Sequence, residues 1–490
     1  MEQDKTRARA GHAAGPVLVW FRRDLRLGDH PALTAACASG RPVIGVFLHD
    51  ETVETLGAAA RWRLGLGVAS FARAIEAIGG RLILRRGAAG EQIAKLVAQT
   101  GASAVYWSRA YDPESIARDK HIKADLTAQG VEAKSFRGHL IFEPWEVETG
   151  QGGPYRVYTP YWKAVRGRDV APCVLAPKTW PAPAHWPESE ELESWQMGKA
   201  MRRGAQVVAR FVQVGEEAAR ARLGTFLEER AAAYKADRDF PATPATSGLS
   251  ENLTYGEISP REIWHAGWAA IERAGFEGTG SEGAEHFVKE LVWREFAWHL
   301  LYHYPDLATK CWKPDWEGFA WRGESKEAEA WRQGRTGEPF VDAAMREMYV
   351  TGTMHNRARM IAASYLTKHL LTDWRIGRAW FEECLTDWDP AANAMGWQWV
   401  AGCGPDASPY FRIFNPAGQA EKFDQSSAYR DRFIAEGKRH PHSDALAYFD
   451  AVPEAWGLSK EMRYPAPLIA LDQGRARALQ ALEAMKEGKA

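Results

Sequence analysis

Several features that would classify a protein at once are missing from this sequence. Its five cysteines, Cys37, Cys173, Cys311, Cys384 and Cys403, are odd in number, scattered and without C-x-x-C spacing. That argues against a disulfide framework, a zinc site or an iron–sulfur cluster, and fits a reducing, cytoplasmic compartment. No apolar run approaches the roughly 20 residues a membrane span needs, so no membrane role is expected. Net charge is −1, so any nucleic-acid binding must come from a local basic patch; an ordinary cytosolic enzyme fits equally well. Residues 1–15 are charged and alanine-rich with no apolar h-region, which predicts a disordered start, not a signal peptide. Tryptophan, by contrast, is abundant: there are 22, several-fold more than a soluble chain of this size normally carries.

At 490 residues the chain has room for two or three domains. Its first part alternates β-branched runs with helical patterns. Strands are expected at 17–21, 43–48, 81–84, 104–107 and 131–136, with helices between them such as 61–78 and 113–128. Such alternation predicts an α/β domain with a doubly wound parallel sheet over residues 16–140. Ligands of these sheets bind at the carboxyl ends of strands, where Phe21-Arg-Arg-Asp-Leu-Arg26 falls. No G-x-G-x-x-G follows the first strand, so the dinucleotide fingerprint is absent. Residues 141–204 are rich in proline, glycine and tryptophan and read as a long connection wrapped on a surface. Residues 205–490 are helical almost throughout and form an all-α domain.

Three constellations there carry possible chemistry. Glu290, Trp293 and Arg294 stand at i, i+3 and i+4 of a helix predicted over 286–301, so they share one face. They could line a pocket or form a surface ion pair on an amphipathic helix. Asn356, Arg359 and Met360 repeat that spacing at the start of an apolar helix predicted over 360–374. They could project into a cavity or be solvated. Asp387-Trp-Asp389, with Asn393 and Trp397, is a turn entering a helix. Its carboxylates could accept from a ring N–H or a ribose hydroxyl; a metal lacks further ligands at the right spacing, and none is expected. Thr246-Ser-Gly-Leu-Ser250 suits a phosphate or a plain helix cap.

Several longer motifs point the same way. They are Trp20-Phe-Arg-Arg-Asp-Leu-Arg26, Arg238-Asp-Phe-Pro241, Thr246-Ser-Gly-Leu-Ser250, Trp293-Arg-Glu-Phe296, Met354-His-Asn-Arg357, Trp397-Gln-Trp399 and Tyr410-Phe-Arg-Ile-Phe-Asn-Pro416. In this order, from Val17 to about Pro467, the chain resembles the DNA photolyase and cryptochrome family. The resemblance implies an α/β antenna domain and a helical domain holding a U-shaped FAD. It implies that Tyr234, Thr246, Ser247, Gly248, Leu249 and Ser250 hold the phosphates and ribityl chain. Arg294, Arg359, Asp387 and Asp389 would surround the isoalloxazine, with Asn356 close by and Asn393 facing N5. Glu290, Trp293, Asn356, Met360 and Trp399 would line the cavity for a flipped dimer, with Arg238 and Arg357 near DNA phosphates. Trp397, Trp374 and Trp321 match the family's electron-transfer tryptophans. Gly248 replaces a larger residue often found in that turn, and Phe287 and Ala297 stand where some bacterial members have Trp and Tyr.

Within the family, Asn393 resembles photolyases; plant cryptochromes carry an acid there and animal ones a cysteine. Asn356 and Met360 occupy positions where enzymes for the 6-4 photoproduct carry histidines that protonate the lesion. No long tail of the signalling type is expected after the helical part. The resemblance therefore implies light-driven repair of cyclobutane pyrimidine dimers by electron transfer from excited reduced FAD, with Glu290, Asn393 and the three tryptophans in catalytic roles. Dimer-containing DNA is the expected partner and a monomer the expected state. Arg109-Ala-Tyr-Asp-Pro113 and the segment Gly152 to Trp162 resemble the class III branch, which implies a methenyltetrahydrofolate antenna. The alternatives are a cryptochrome-like photoreceptor without repair and a colourless single-strand binder using Trp293 and Trp399 as stacking platforms.

Overall fold

The structure, a computed structural model, describes residues 15–275, 279–406 and 411–488. The predicted disordered start lies outside the described residues except for Gly15, and Tyr410 of the last motif lies outside them too.

Five strands form one parallel sheet of order β3-β2-β1-β4-β5: β1 Val17–Phe21, β2 Val43–His49, β3 Leu82–Arg86, β4 Ala104–Ser108 and β5 Glu132–Phe136. β1, β2 and β4 are buried along their whole length and mostly apolar, as a parallel sheet covered on both faces requires. β5 is the half-exposed edge and carries Glu132 and Lys134, charges suited to an edge. The helix Pro113–Ala128 starts where the sequence predicts: Asp112 caps it by accepting from Ser115 N at 2.8 Å, and Pro113 occupies its first position. The predicted helix 61–78 is seen as Ala58–Ala77.

After Phe136 every regular element among the described residues is helical. The segment between the sheet and the helices holds on by aromatics; Trp180, for one, is buried and donates its indole N–H to Val43 O at 2.8 Å. Buried ion pairs join the two parts. The guanidinium of Arg63, on the helix Ala58–Ala77, is fully enclosed between Glu257, at 2.7 and 2.8 Å, and Glu251, at 2.9 Å. Arg26 reaches Gly256 O at 3.0 Å and Gly138 O at 2.7 Å.

One predicted element is corrected. The apolar run 360–374 is not a single helix. Asn356–Ser364 is α-helical, Tyr365–His369 widens into a π turn, and Leu371 then takes φ +54°. Thr372 forms a short parallel bridge with Arg322, which takes the backbone groups a continuing helix would need. A new helix, Trp374–Cys384, starts with Asp373 accepting from Arg375 N at 2.8 Å. Apolar periodicity alone does not show such a break; the capping Asp373 was its only mark in the sequence.

Candidate functional site

The helix Pro390–Ala401 starts at Asp389, whose carboxylate accepts from Ala392 N at 2.8 Å and from the Trp298 indole at 3.0 Å. Half of this helix is buried, yet Ala392 and Gly396 are exposed and Asn393 is half-buried between them. A Cβ at Gly396 would meet nothing within 4 Å. This stripe is therefore not covered by neighbouring side chains. The Asn393 amide donates to Arg378 O at 3.1 Å, which orients its side chain.

Three predicted groups, far apart in sequence, meet at Asp387. Its carboxylate accepts from the Ser250 hydroxyl at 2.8 Å and from Arg359 at 2.7 and 2.9 Å. Arg359 is held in turn by Met354 O at 2.7 Å. Thr254, in the short helix that Ser250 opens, donates to Asp387 O at 3.1 Å. The hydroxyl-rich turn, the Asn356 helix and the Asp387 turn thus form one wall. Gly248 sits in that turn at φ +65°, a conformation glycine adopts without strain. Its carbonyl accepts from Arg222 at 2.7 Å, and Ser247 Oγ accepts weakly from Leu249 N at 3.4 Å. Thr246 lies in the same turn. Tyr234 is buried, edge-on to Phe226 and under Arg238 at 5.3 Å. Phe287 and Ala297 are core residues; Phe287 packs on Phe226 and lies near Tyr234.

On the long helix Thr279–His303, the shared face of Glu290, Trp293 and Arg294 divides among three partners. Glu290 is ion-paired with Arg238. Trp293 stacks on Tyr158 with ring centroids 3.6 Å apart and planes 6° from parallel. Arg294 donates to His139 O at 3.1 Å and to the His139 ring at 3.1 Å, in the chain segment after β5. Burial, then the Arg294 charge, hold the His139 imidazole well below its usual pKa, so it is neutral. Asn356 is exposed, and its amide points at Met360 Sδ, 3.8 Å away. Arg357 pairs with Asp239 at 2.5 Å, its guanidinium 4.4 Å from the Phe423 ring centre. Trp399 donates to Asp406 O at 3.2 Å.

Trp397 and Trp374 are buried and Trp321 is partly so; none of their indole N–H groups has a hydrogen-bond partner. Trp321 precedes the bridge of Arg322 with Thr372, which brings its backbone beside the start of the Trp374 helix.

One cleft was only half legible. At the carboxyl ends of the strands a cleft is lined by Arg22, Arg109, Arg118, Tyr111 and Trp388, among others. The sequence pointed to the residues after β1; the contribution of Trp388, from the helical part, carried no signal. Among the described residues no group of three or more His, Cys, Asp or Glu could hold a metal, and no helix is long and apolar enough to cross a membrane.

The parallel sheet and the helical part that follows it make a two-part protein with a cleft at the strand ends. A family model described as DNA photolyase matches residues 17–184, and one described as FAD binding domain of DNA photolyase matches residues 287–484. A deoxyribodipyrimidine photo-lyase of Agrobacterium fabrum is 44% identical over 478 residues, 96% of this chain and 98% of that protein. The crystal structure of a bacterial class III photolyase from Agrobacterium tumefaciens matches with a TM-score of 0.89 at 43% identity, over 98% of this chain and 100% of that one. A Synechocystis cryptochrome matches with a TM-score of 0.81 at 27% identity, over 96% of this chain and 100% of that one. The chain belongs to the DNA photolyase and cryptochrome family.

Proposed function

We propose that this protein is a light-driven lyase that splits cyclobutane pyrimidine dimers in DNA. The pair Asn356 and Met360 carries the reading. An amide and a thioether stand in contact at the start of the helix Asn356–Ser364, and neither can protonate a lesion. The nearby Glu290 is engaged by Arg238, and burial lowers the pKa of His286, so that it is neutral. A wall poor in acid suits a ring that opens on gaining an electron.

The residues present fit FAD. Gly396 leaves room for a flat ring beside Asn393, and the Ser250, Arg359 and Asp387 cluster presents donors and a carboxylate to a polar edge. When bound and reduced, FAD supplies the light-driven electron. Tyr234, Thr246, Ser247, Gly248, Leu249 and Ser250 take the phosphate end; Arg294, Arg359, Asp387, Asp389 and Asn393 take the ring end.

A dimer reaches the opening by flipping out of the duplex, at reduced cost because its pairing and stacking are already weakened. Trp293, backed by Tyr158, and Trp399 offer π faces to it; Glu290 and Asn356 meet its base edges. Arg238 and Arg357 contact phosphates, exchanging the carboxylates of Glu290 and Asp239 for them. Trp397, Trp374 and Trp321 carry electrons inward to recharge the cofactor.

The antenna reading is methenyltetrahydrofolate in the strand-end cleft, where arginines suit its carboxylates and Trp388 its ring system. We divide the chain at 16–140, 141–204 and 205–490, and take it to work as a cytoplasmic monomer. The test is a count of dimers in irradiated DNA before and after blue illumination with the protein. Loss of dimers only in the light supports repair. An unchanged count from a yellow, photoreducible protein would favour a photoreceptor.

A further inference from the structure

Beside Trp374 lies a cluster that dimer repair does not use. Cys311 and Cys403 are both buried, and Gln398 ties the loop that carries the first to the sulfur of the second. The Gln398 side chain donates to Leu307 O at 2.6 Å and Lys310 O at 2.8 Å and accepts from Trp312 N at 2.7 Å, which pins the Cys311 loop to the helix Pro390–Ala401. Cys403 Sγ lies 3.8 Å from both Gln398 O and Gln398 Oε1, and Cys403 O accepts from Lys313 N at 3.0 Å. The Cys403 thiol and the Trp374 indole lie close enough to the Cys311 sulfur to lower its pKa. Arg375 Nη2 stands 3.9 Å from it. The Cys403 contact, the indole and the guanidinium all favour a thiolate at Cys311, whereas burial disfavours one at Cys403. Next to the pair, Lys368 is wholly buried, donates to Ala401 O and lies 3.4 Å over the Phe411 ring. Burial holds it well below the ordinary lysine range, so it presents a neutral amine.

We infer that Cys311 and Cys403 are a built-in dithiol electron donor, refilling Trp374 each time light draws an electron through it toward the flavin. The inference rests on the reading of Trp397 and Trp374 as the route inward. A thiolate gives up an electron more readily than an indole. The first electron leaves Cys311; closure onto Cys403 releases the second. Counted from two thiols, with Cys311 giving up its proton as it becomes the thiolate, the pair loses two electrons and two protons and forms one S–S bond. Both electrons and one proton are taken up by oxidised FAD, which becomes FADH⁻; the other proton goes to Lys368 Nζ. External thiols would reopen the disulfide in the dark.

The test illuminates flavin-loaded protein without oxygen or added reductant. Free thiols are counted by alkylation and mass spectrometry before and after. The parent should lose two thiols for each flavin reduced and yield one cross-linked peptide pair joining Cys311 to Cys403. Cys311→Ser and Cys403→Ser should each abolish that loss and slow photoreduction, whereas Cys384→Ser should leave the loss intact. Should the serine variants misfold, Trp374→Phe keeps both thiols. In it, light should no longer consume thiols, while diamide in the dark should still close the pair. Photoreduction with an unchanged thiol count overturns the inference, as does a pair that diamide cannot close. A colourless protein overturns the flavin reading and this inference with it; the absorption spectrum separates the two failures.

Discussion

Asn393 holds its position through one donated hydrogen bond, to Arg378 O at 3.1 Å. A carboxylate there cannot make that donation, and it adds a charge beside the ring; a thiol adds a proton source. We expect Asn393→Asp and Asn393→Cys to bind FAD yet settle in different redox states after light. Absorption spectra through illumination and dark reoxidation would show this, and identical traces in all three proteins would place Asn393 away from N5. Trp293 makes a different kind of contact, a parallel stack on Tyr158. Trp293→Ala should weaken binding to dimer-containing DNA by roughly 1–3 kcal/mol, with a smaller effect on undamaged DNA. Equal losses on both DNAs would move the lesion cavity elsewhere. Individual residues were legible where a motif named them: Ser250, Arg359 and Asp387 were all singled out. Their meeting in one hydrogen-bonded cluster was not, because spacing in a sequence says nothing about residues 137 positions apart.

Among the elements, the helix Trp374–Cys384 packs closely on Trp397. A Cβ on Gly377 would come within 2.1 Å of the Trp397 ring. Gly377→Ala should therefore displace Trp397 and destabilise the protein by about 1–3 kcal/mol. Thermal unfolding and the rate of flavin photoreduction should both report it; an unchanged rate would show that Trp397 is not on the route. Trp374→Phe should lose photoreduction by an external reductant but keep repair when the flavin is reduced chemically beforehand. If photoreduction survives, the Trp374/Trp388 double Phe variant decides between a detour and mere packing, since a detour predicts loss only in the double. Strands and most helices were readable because burial on two faces or on one stripe leaves a period in the sequence. The break between Leu370 and Trp374 was not, because Arg322, which pairs with Thr372, is some 50 residues away and no local pattern announces it.

Across the whole molecule, buried titratable groups set the pH response. Burial pushes Glu295, Glu338 and Glu347 from 4.5 to about 7, and lowers His355 and His369 from 6.5 to about 4 and His299 to about 3. Between about pH 4.5 and 6.5 the two sets oppose each other: the unfolded chain binds protons at the histidines, and the native state holds them on the glutamates, so these groups leave stability nearly flat. As pH rises further the histidines become neutral in both states, while the native state still holds protons on the glutamates that the unfolded chain has lost, so stability falls toward about pH 8. Tm should therefore fall on the alkaline side, and Glu347→Gln should flatten that fall; a Tm that rises from pH 6.5 to about 8 would contradict this. Arg63→Ala would leave Glu251 and Glu257 buried without their partner, at a cost of about 3–5 kcal/mol by calorimetry.

Arg63 sits at the seam between the sheet and the helices, away from water. The two parts cannot rock against each other without exposing an unpaired charge. A chromophore in the strand-end cleft and a flavin beside Asn393 would then keep one mutual angle. Transition dipoles at a frozen angle exchange energy with a single orientation factor. Antenna fluorescence in the loaded protein should accordingly decay along one exponential, where a hinged pair would show a spread of lifetimes.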